Sequence, residues 1–261
     1  MTTDTVQGMM DGERFSWIER PDDDFPYYRG QPVAISDAGW GFVLLAVAAA
    51  FFALILLPAI FHGGLIGLIP AILFVVIPLL ALARVAGRGW KALFRTLRAA
   101  DFVWMFAFFV LNLVVTLVVG YVVTALFDAH ANPAGSTVAA ASTVERVFFF
   151  IRTGIQLFGE ELLTILPFLA LLYWLVAHRG MGRKPAVILA AISAAIVFAL
   201  VHLPTYQWNL PQALVGLVPV RLVLLTPYIM TKNIWVSTGT HILNDWAIFG
   251  LPTLLAAGGE G

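Results

Sequence analysis

Two adjacent carboxylates, Glu160 and Glu161, stand in the apolar stretch LFGEELLTILPF at residues 157–168. Other polar groups interrupt apolar runs further on. His202 closes one run, Arg221 lies inside the next, and His241, Asn244 and Asp245 share the last. A charge at mid-bilayer depth costs about 2.5–3.5 kcal/mol on insertion scales, so such residues are functional candidates by default. Carboxylates, imidazoles and an Asx can hydrolyse a peptide bond in two ways. Zinc held by His202 and His241 can polarise the carbonyl while a glutamate serves as base. Alternatively, a glutamate activates water directly, and His and Asx donors hold the oxyanion. A third use of the same residue types is a proton relay in a transporter.

Spacing constrains how these groups meet. His241 and Asp245 are four apart and share one helix face, so the carboxylate can fix an imidazole tautomer. Glu160 and Glu161 point about 100° apart on a helix. Only one of them can aim at a shared centre, and the other must find a different partner. HRGMGRK at 178–184 reads as the turn of a helical hairpin. Glu160 lies about as far before that turn as His202 lies after it, so an antiparallel pairing brings the two to one depth.

The elements that must position these residues are membrane helices. The 261 residues are 61% hydrophobic and 11% charged, against about 25% charged in a soluble domain. The expected fold is an all-α polytopic transmembrane bundle of about seven spans, six at least and eight at most, each near the 20 apolar residues that a crossing needs. The spans are read at about 39–61, 65–83, 102–127, 144–176, 185–203, 211–230 and 234–256. Residues 144–158 are either the start of the fourth span or a separate interfacial helix. The basic stretch RVAGRGWKALFRTLRAADF at 84–102 reads as an amphipathic helix in the headgroups. Residues 1–38 form a polar leader, soluble and partly ordered at best, and residues 39–257 form the membrane domain.

Zero net charge gives no footprint for nucleic acid, and the absence of cysteine removes disulfides, thiolate catalysis and cysteine metal sites. Positive-inside counting places the leader, the 84–98 segment and 178–184 in the cytoplasm. The site then falls toward the outer half of the bilayer, provided that the fourth span crosses fully. The Ala-, Val- and Gly-rich composition points to a bacterial plasma membrane, with the lipid bilayer, a peptide or membrane-protein substrate and a possible protein partner as its contacts.

EELLTI at 160–165, FALVH at 198–202 and HILND at 241–245 resemble, in order, the three motifs of the CPBP family. These are the CAAX-processing and bacteriocin-processing intramembrane proteases, also called the Abi family. The resemblance covers about residues 145–250. It implies an intramembrane endopeptidase with Glu160 as water-activating base, Glu161 as its support, and His202 and His241 as zinc ligands or oxyanion donors. By the same resemblance Asp245 orients the histidines, with Asn244 beside it, and the CAAX-processing members are reached from the cytosolic side. One position departs from the pattern: the motif arginine is Ile165. Arg221 either supplies that guanidinium from another helix or snorkels to an interface. The alternative to a working protease is a catalytically silent relative acting as a scaffold, immunity or partner-binding protein. A proton-coupled transporter is a more distant reading, since no internal repeat is visible.

Overall fold

The computed structural model describes residues 14–20 and 23–258, with side chains as far as Leu251. The first part of the polar leader, residues 1–13, lies outside the described residues. The described chain is all-helical: α1 Asp37–Leu56, α2 Ile69–Ala86, α3 Ala99–Leu126, α4 Pro133–Ala140, α5 Thr143–Ala177, α6 Arg183–Val201, α7 Leu210–Thr231 and α8 Ile234–Gly258. Six of these helices are long and apolar enough to cross a membrane: α1, α2, α3, α5, α6 and α7. The seventh long helix, α8, has the length, but its Ser237, Thr238, Thr240, His241, Asn244 and Asp245 lower its hydropathy.

The fourth apolar run is one continuous helix. STVE at 142–145 forms a capping box, with Ser142 N–H donating to Glu145 Oε2 at 2.8 Å and Ser142 Oγ accepting from the Glu145 N–H. From that cap α5 runs for 35 residues, about 52 Å at 1.5 Å per residue. Residues 144–158 are thus its first turns and not a separate interfacial helix. Pro167 sits inside it without ending it, as membrane helices packed among neighbours allow.

The bundle has two distinct ends. At one, Tyr173 and His178 from the end of α5 meet Asp37 at the start of α1. At the other, Asn209 Nδ2 donates to Asp128 O, and Gln212 exchanges two hydrogen bonds with the His130 backbone. Arg146, one turn into α5, donates to Val138 O and Ala139 O. Short α4 is therefore strapped across that second end.

The basic stretch is not one amphipathic α-helix. α2 carries Arg84 and stops at Ala86, and Gly87 follows at φ +53°, a left-handed conformation that favours glycine. Gly87–Leu93 then winds as a 3-10 helix, and Phe94 is extended. The stretch takes this course because it cradles the leader. Tyr27 OH donates to Gly89 O at 2.9 Å, and Arg95 pairs with Asp23 at 3.3 Å. Residues 23–36, expected as a loosely ordered leader, fold back onto the helices, and Phe25, Tyr27, Tyr28 and Ile35 are buried.

Charge fixes that docking. Glu19 receives both terminal nitrogens of Arg183, at 2.7 and 2.5 Å, and the Lys232 ammonium at 2.5 Å. Asp24 also pairs with Arg183 at 2.9 Å, and Arg20 pairs with Asp101 at the start of α3. The Phe25 ring lies under both Arg183 and Lys232. One short segment thereby ties together the ends of α3, α6 and α7. Burial raises the Glu19 carboxyl, but Arg183 and Lys232 outweigh it and hold the group at about 2.

Removing one partner of a buried ion pair costs about 3–5 kcal/mol. Glu19→Gln is expected to lower the thermal unfolding temperature in detergent at neutral pH. The lowered carboxyl contributes stability above about 4.5, the ordinary carboxyl value, and loses it as pH falls toward about 2. Wild-type unfolding temperature should therefore drop across that window more steeply than that of Glu19→Gln.

Candidate active site

α5 brings its two carboxylates to the centre of the bundle through a close helix contact. A Cβ at Gly159 would meet the Phe74 ring of α2 at 2.3 Å, so only glycine lets the two helices approach there. On α8, Thr238 and Thr240 return their hydroxyls to the carbonyls of Ile234 and Val236. Their polar atoms are thus satisfied within the helix, and their small size lets neighbouring helices come close.

The adjacent glutamates do turn to different partners. Glu161 is fully buried, with Oε1 2.7 Å from Arg221 Nη1 and 2.9 Å from His241 Nδ1. Glu160 lines an internal cavity of about 450 Å³ together with His202, Tyr206, His241, Asn244 and Asp245. Its Oε1 accepts from Gln156 Nε2 at 2.9 Å, and its Oε2 lies 3.9 Å from His241 Nε2. Asp245 Oδ1 lies 3.7 Å from the same nitrogen. His241 thus offers one ring nitrogen to Glu161 and the other to the cavity, between two carboxylates.

The remaining expected residues are also accounted for. Asn244 Nδ2 donates to Asp245 at 2.9 Å, and Asn244 Oδ1 accepts from Asn112 of α3 at 3.0 Å. His202 shares the cavity with Glu160, as the hairpin register implies, but touches no carboxylate directly. Its Nδ1 lies 2.7 Å from Phe198 O, which fixes the proton on Nδ1, and its ring packs on Phe198. The carboxylate that engages His241 Nδ1 is Glu161 and not Asp245, because the helical offset carries Asp245 to the cavity side of the ring.

Arg221 does not snorkel. It is fully buried within α7, over the Phe198 ring at 4.8 Å and 3.3 Å from His241 Nδ1. Ile165 is fully buried one turn beyond Glu161 on the same face of α5. The guanidinium that meets Glu161 comes from a different helix, α7. Sequence spacing alone could not pair residues 161 and 221.

Gln156 and Tyr206 line the cavity too and escape the sequence reading. Gln156 sits one turn before Glu160, a spacing that could have revealed it. Tyr206 ends the 3-10 turn Leu203–Tyr206 that follows His202, where Pro204 bends the chain back. Burial raises the Tyr206 phenol above its usual value, a hydrogen bond with Asn132 opposes this, and Asp245 and Glu160 raise it further. The phenol is therefore held as a proton donor at neutral pH.

A catalytic zinc takes three protein ligands. Among the described residues no three His, Cys, Asp or Glu side chains are grouped to hold a metal. His241 keeps only Nε2 for such a role, since Nδ1 is engaged by Glu161. The residues in this arrangement do not fit zinc, so no step is assigned to one.

Residues 142–247 match the family described as type II CAAX prenyl endopeptidase Rce1-like. No curated protein and no solved structure matches the chain.

Arg221→Met leaves Glu161 buried without its cation, which costs about 3–5 kcal/mol. Its thermal unfolding in detergent should shift well below wild type. Adding Ile165→Arg to the same variant returns a guanidinium to the Glu161 face and should recover part of the shift. Unfolding of Arg221→Met at the wild-type temperature would show that the cation at this point is dispensable.

Proposed function

We propose that this protein, whose residues 142–247 match the Rce1-like family, is an intramembrane endopeptidase that uses a glutamate-activated water. The observation that carries this reading is the convergence of Glu160, His241 and Asp245 on one cavity, with His202 and Tyr206 in its wall. Glu161 and Arg221 stand behind that group and outside the cavity lining.

The separation of 3.9 Å between Glu160 Oε2 and His241 Nε2 is too long for a direct hydrogen bond and suits a bridging water. Glu160 takes one proton of that water as its oxygen attacks the peptide carbonyl carbon. The carbonyl oxygen gathers the developing negative charge, and Tyr206 O–H and the His241 Nε2–H are the donors that meet it. Glu161 holds His241 Nδ1, so the ring presents Nε2 to the cavity. Glu160 then passes the proton to the leaving nitrogen as the C–N bond breaks, giving an acid and an amine. Gln156 holds the other Glu160 oxygen, so the base presents Oε2 in one orientation.

Glu161 and Arg221 supply positioning. The guanidinium and the His241 ring meet at one Glu161 oxygen, and the carboxylate, accepting from His241 Nδ1, turns Nε2 to the cavity. This is the logic of a triad in which a third group orients the acid–base residue. Asp245 has the opposite face of the ring and is itself steadied by Asn244, which Asn112 holds in turn.

A general base is worth about 10²–10⁴-fold in rate. Glu160→Ala and His241→Ala are each expected to cut cleavage of membrane peptides by purified, lipid-reconstituted protein within that range. Tyr206→Phe should lower kcat with little change in KM, because the lost donor acts on the transition state. A chelator should leave wild-type activity unaltered, and metal analysis of the same preparation checks this directly. Cleavage that survives both Glu160→Ala and His241→Ala would remove the site from the reaction. Absence of cleavage with a stably copurifying protein would instead support a scaffold role.

A further inference from the structure

The direction from which a substrate can reach this cavity follows from charge and packing. The contacts of the two bundle ends assign every loop to one side. The leader, the 84–98 stretch, the 178–184 turn and Lys232 lie at the first end. Of the 15 Lys and Arg residues, Arg221 is buried, Arg146 and Arg152 lie in the early turns of α5 near the second end, and the other twelve belong to the first. The loops at 57–68, 127–142 and 202–209 contain no Lys or Arg. A bias of that size places the first end in the cytoplasm.

The cavity belongs to the other end. Its lining includes Asn132 and Thr137 from the α4 strap and Thr205 and Tyr206 from the α6–α7 connection. From Ala177, at the basic end of α5, Glu160 lies about 26 Å along the helix axis, most of the way across a hydrocarbon core of about 30 Å. Toward the basic end, Leu162, Ile165, Leu166, Phe168, Leu169 and Leu172 of α5 are buried in the core.

We infer that this site works from the extracytoplasmic side. Its substrate is a membrane-inserted polypeptide whose scissile bond lies in the outer-leaflet part of its span or in the segment just beyond it. A tail lipidated on the cytoplasmic face would lie at the bundle end opposite the α4 and 205–206 residues that line the cavity. This inference rests on the peptidase reading of the same cavity and adds its side and substrate class.

The sequence contains no cysteine, so one introduced thiol reports its own side. Ser136 on the strap and Arg179 in the basic turn are both exposed and lie outside the catalytic group. In intact cells, Ser136→Cys in the full chain should react with a membrane-impermeant maleimide, and Arg179→Cys should react only after permeabilisation. The reverse pattern, or reaction of both before permeabilisation, overturns the inference. New peptide N-termini are then mapped by mass spectrometry in cells making wild type or Glu160→Ala. Termini that depend on Glu160 should lie in outer halves of spans or extracytoplasmic flanks, and Glu160-dependent termini in cytoplasmic segments would overturn the substrate class. The expected labelling without any Glu160-dependent terminus defeats the substrate class through the peptidase reading and leaves the sidedness standing.

Discussion

Glu161 and Arg221 sit 2.7 Å apart, both without exposure to solvent, and the rest of the site is arranged around them. Either ion alone at this depth would be expelled or neutralised. Together they fix the rotation of α5 against α7, because the carboxylate and guanidinium must face each other. That rotation sends Glu160, about 100° further round α5, into the cavity. The same carboxylate anchors one nitrogen of His241 and thereby sets the angle of α8. Three helices are keyed by one pair, and the cavity-lining groups occupy the faces that the pair leaves over.

A buried ion pair is weak support for stability by itself, since well-packed apolar residues often do as well. Its value here is in placement. Ile165 is informative on this point. The position one turn past Glu161 could carry a cation within α5, an arrangement that would orient Glu161 without involving another helix. With the cation on α7, the orientation of the acid and the docking of α7 become one requirement. Phe198 adds to this from α6, because its ring supports Arg221 on one side and packs against His202 on the other.

Much of the site is legible in the amino-acid sequence. Adjacent glutamates must diverge, His241 and Asp245 must share a face, and Glu160 and His202 must meet at one depth in a hairpin. Each of these is a consequence of helical geometry over short distances, and all three hold. The pairing of Glu161 with Arg221 is only one option at that level, since nothing local distinguishes a buried arginine from a snorkelling one. The leader departs from its expected form for a related reason. PDDDFPYYRG reads as soluble, yet its Asp23 and Asp24 are matched by Arg95 and Arg183, far along the chain. The 84–98 stretch has amphipathic spacing, yet Gly87 and the demands of the leader that it holds give it a different backbone. Tyr206 carries no periodic signal, and only the bend at Pro204 brings it over the cavity.

The Glu19 clasp also has a bearing on time. Glu19 waits for Arg183, made 164 residues later, and for Lys232, made 213 residues later. At roughly 5–20 residues per second, Lys232 leaves the ribosome about 10–40 s after Glu19. Until then the acidic segment has no counterions from α6 and α7 and stays in water. The clasp can close only when the intervening helices have been threaded in the order that presents both cations on one side. It therefore cannot form before α7 has been made and placed, while α8 is still to follow.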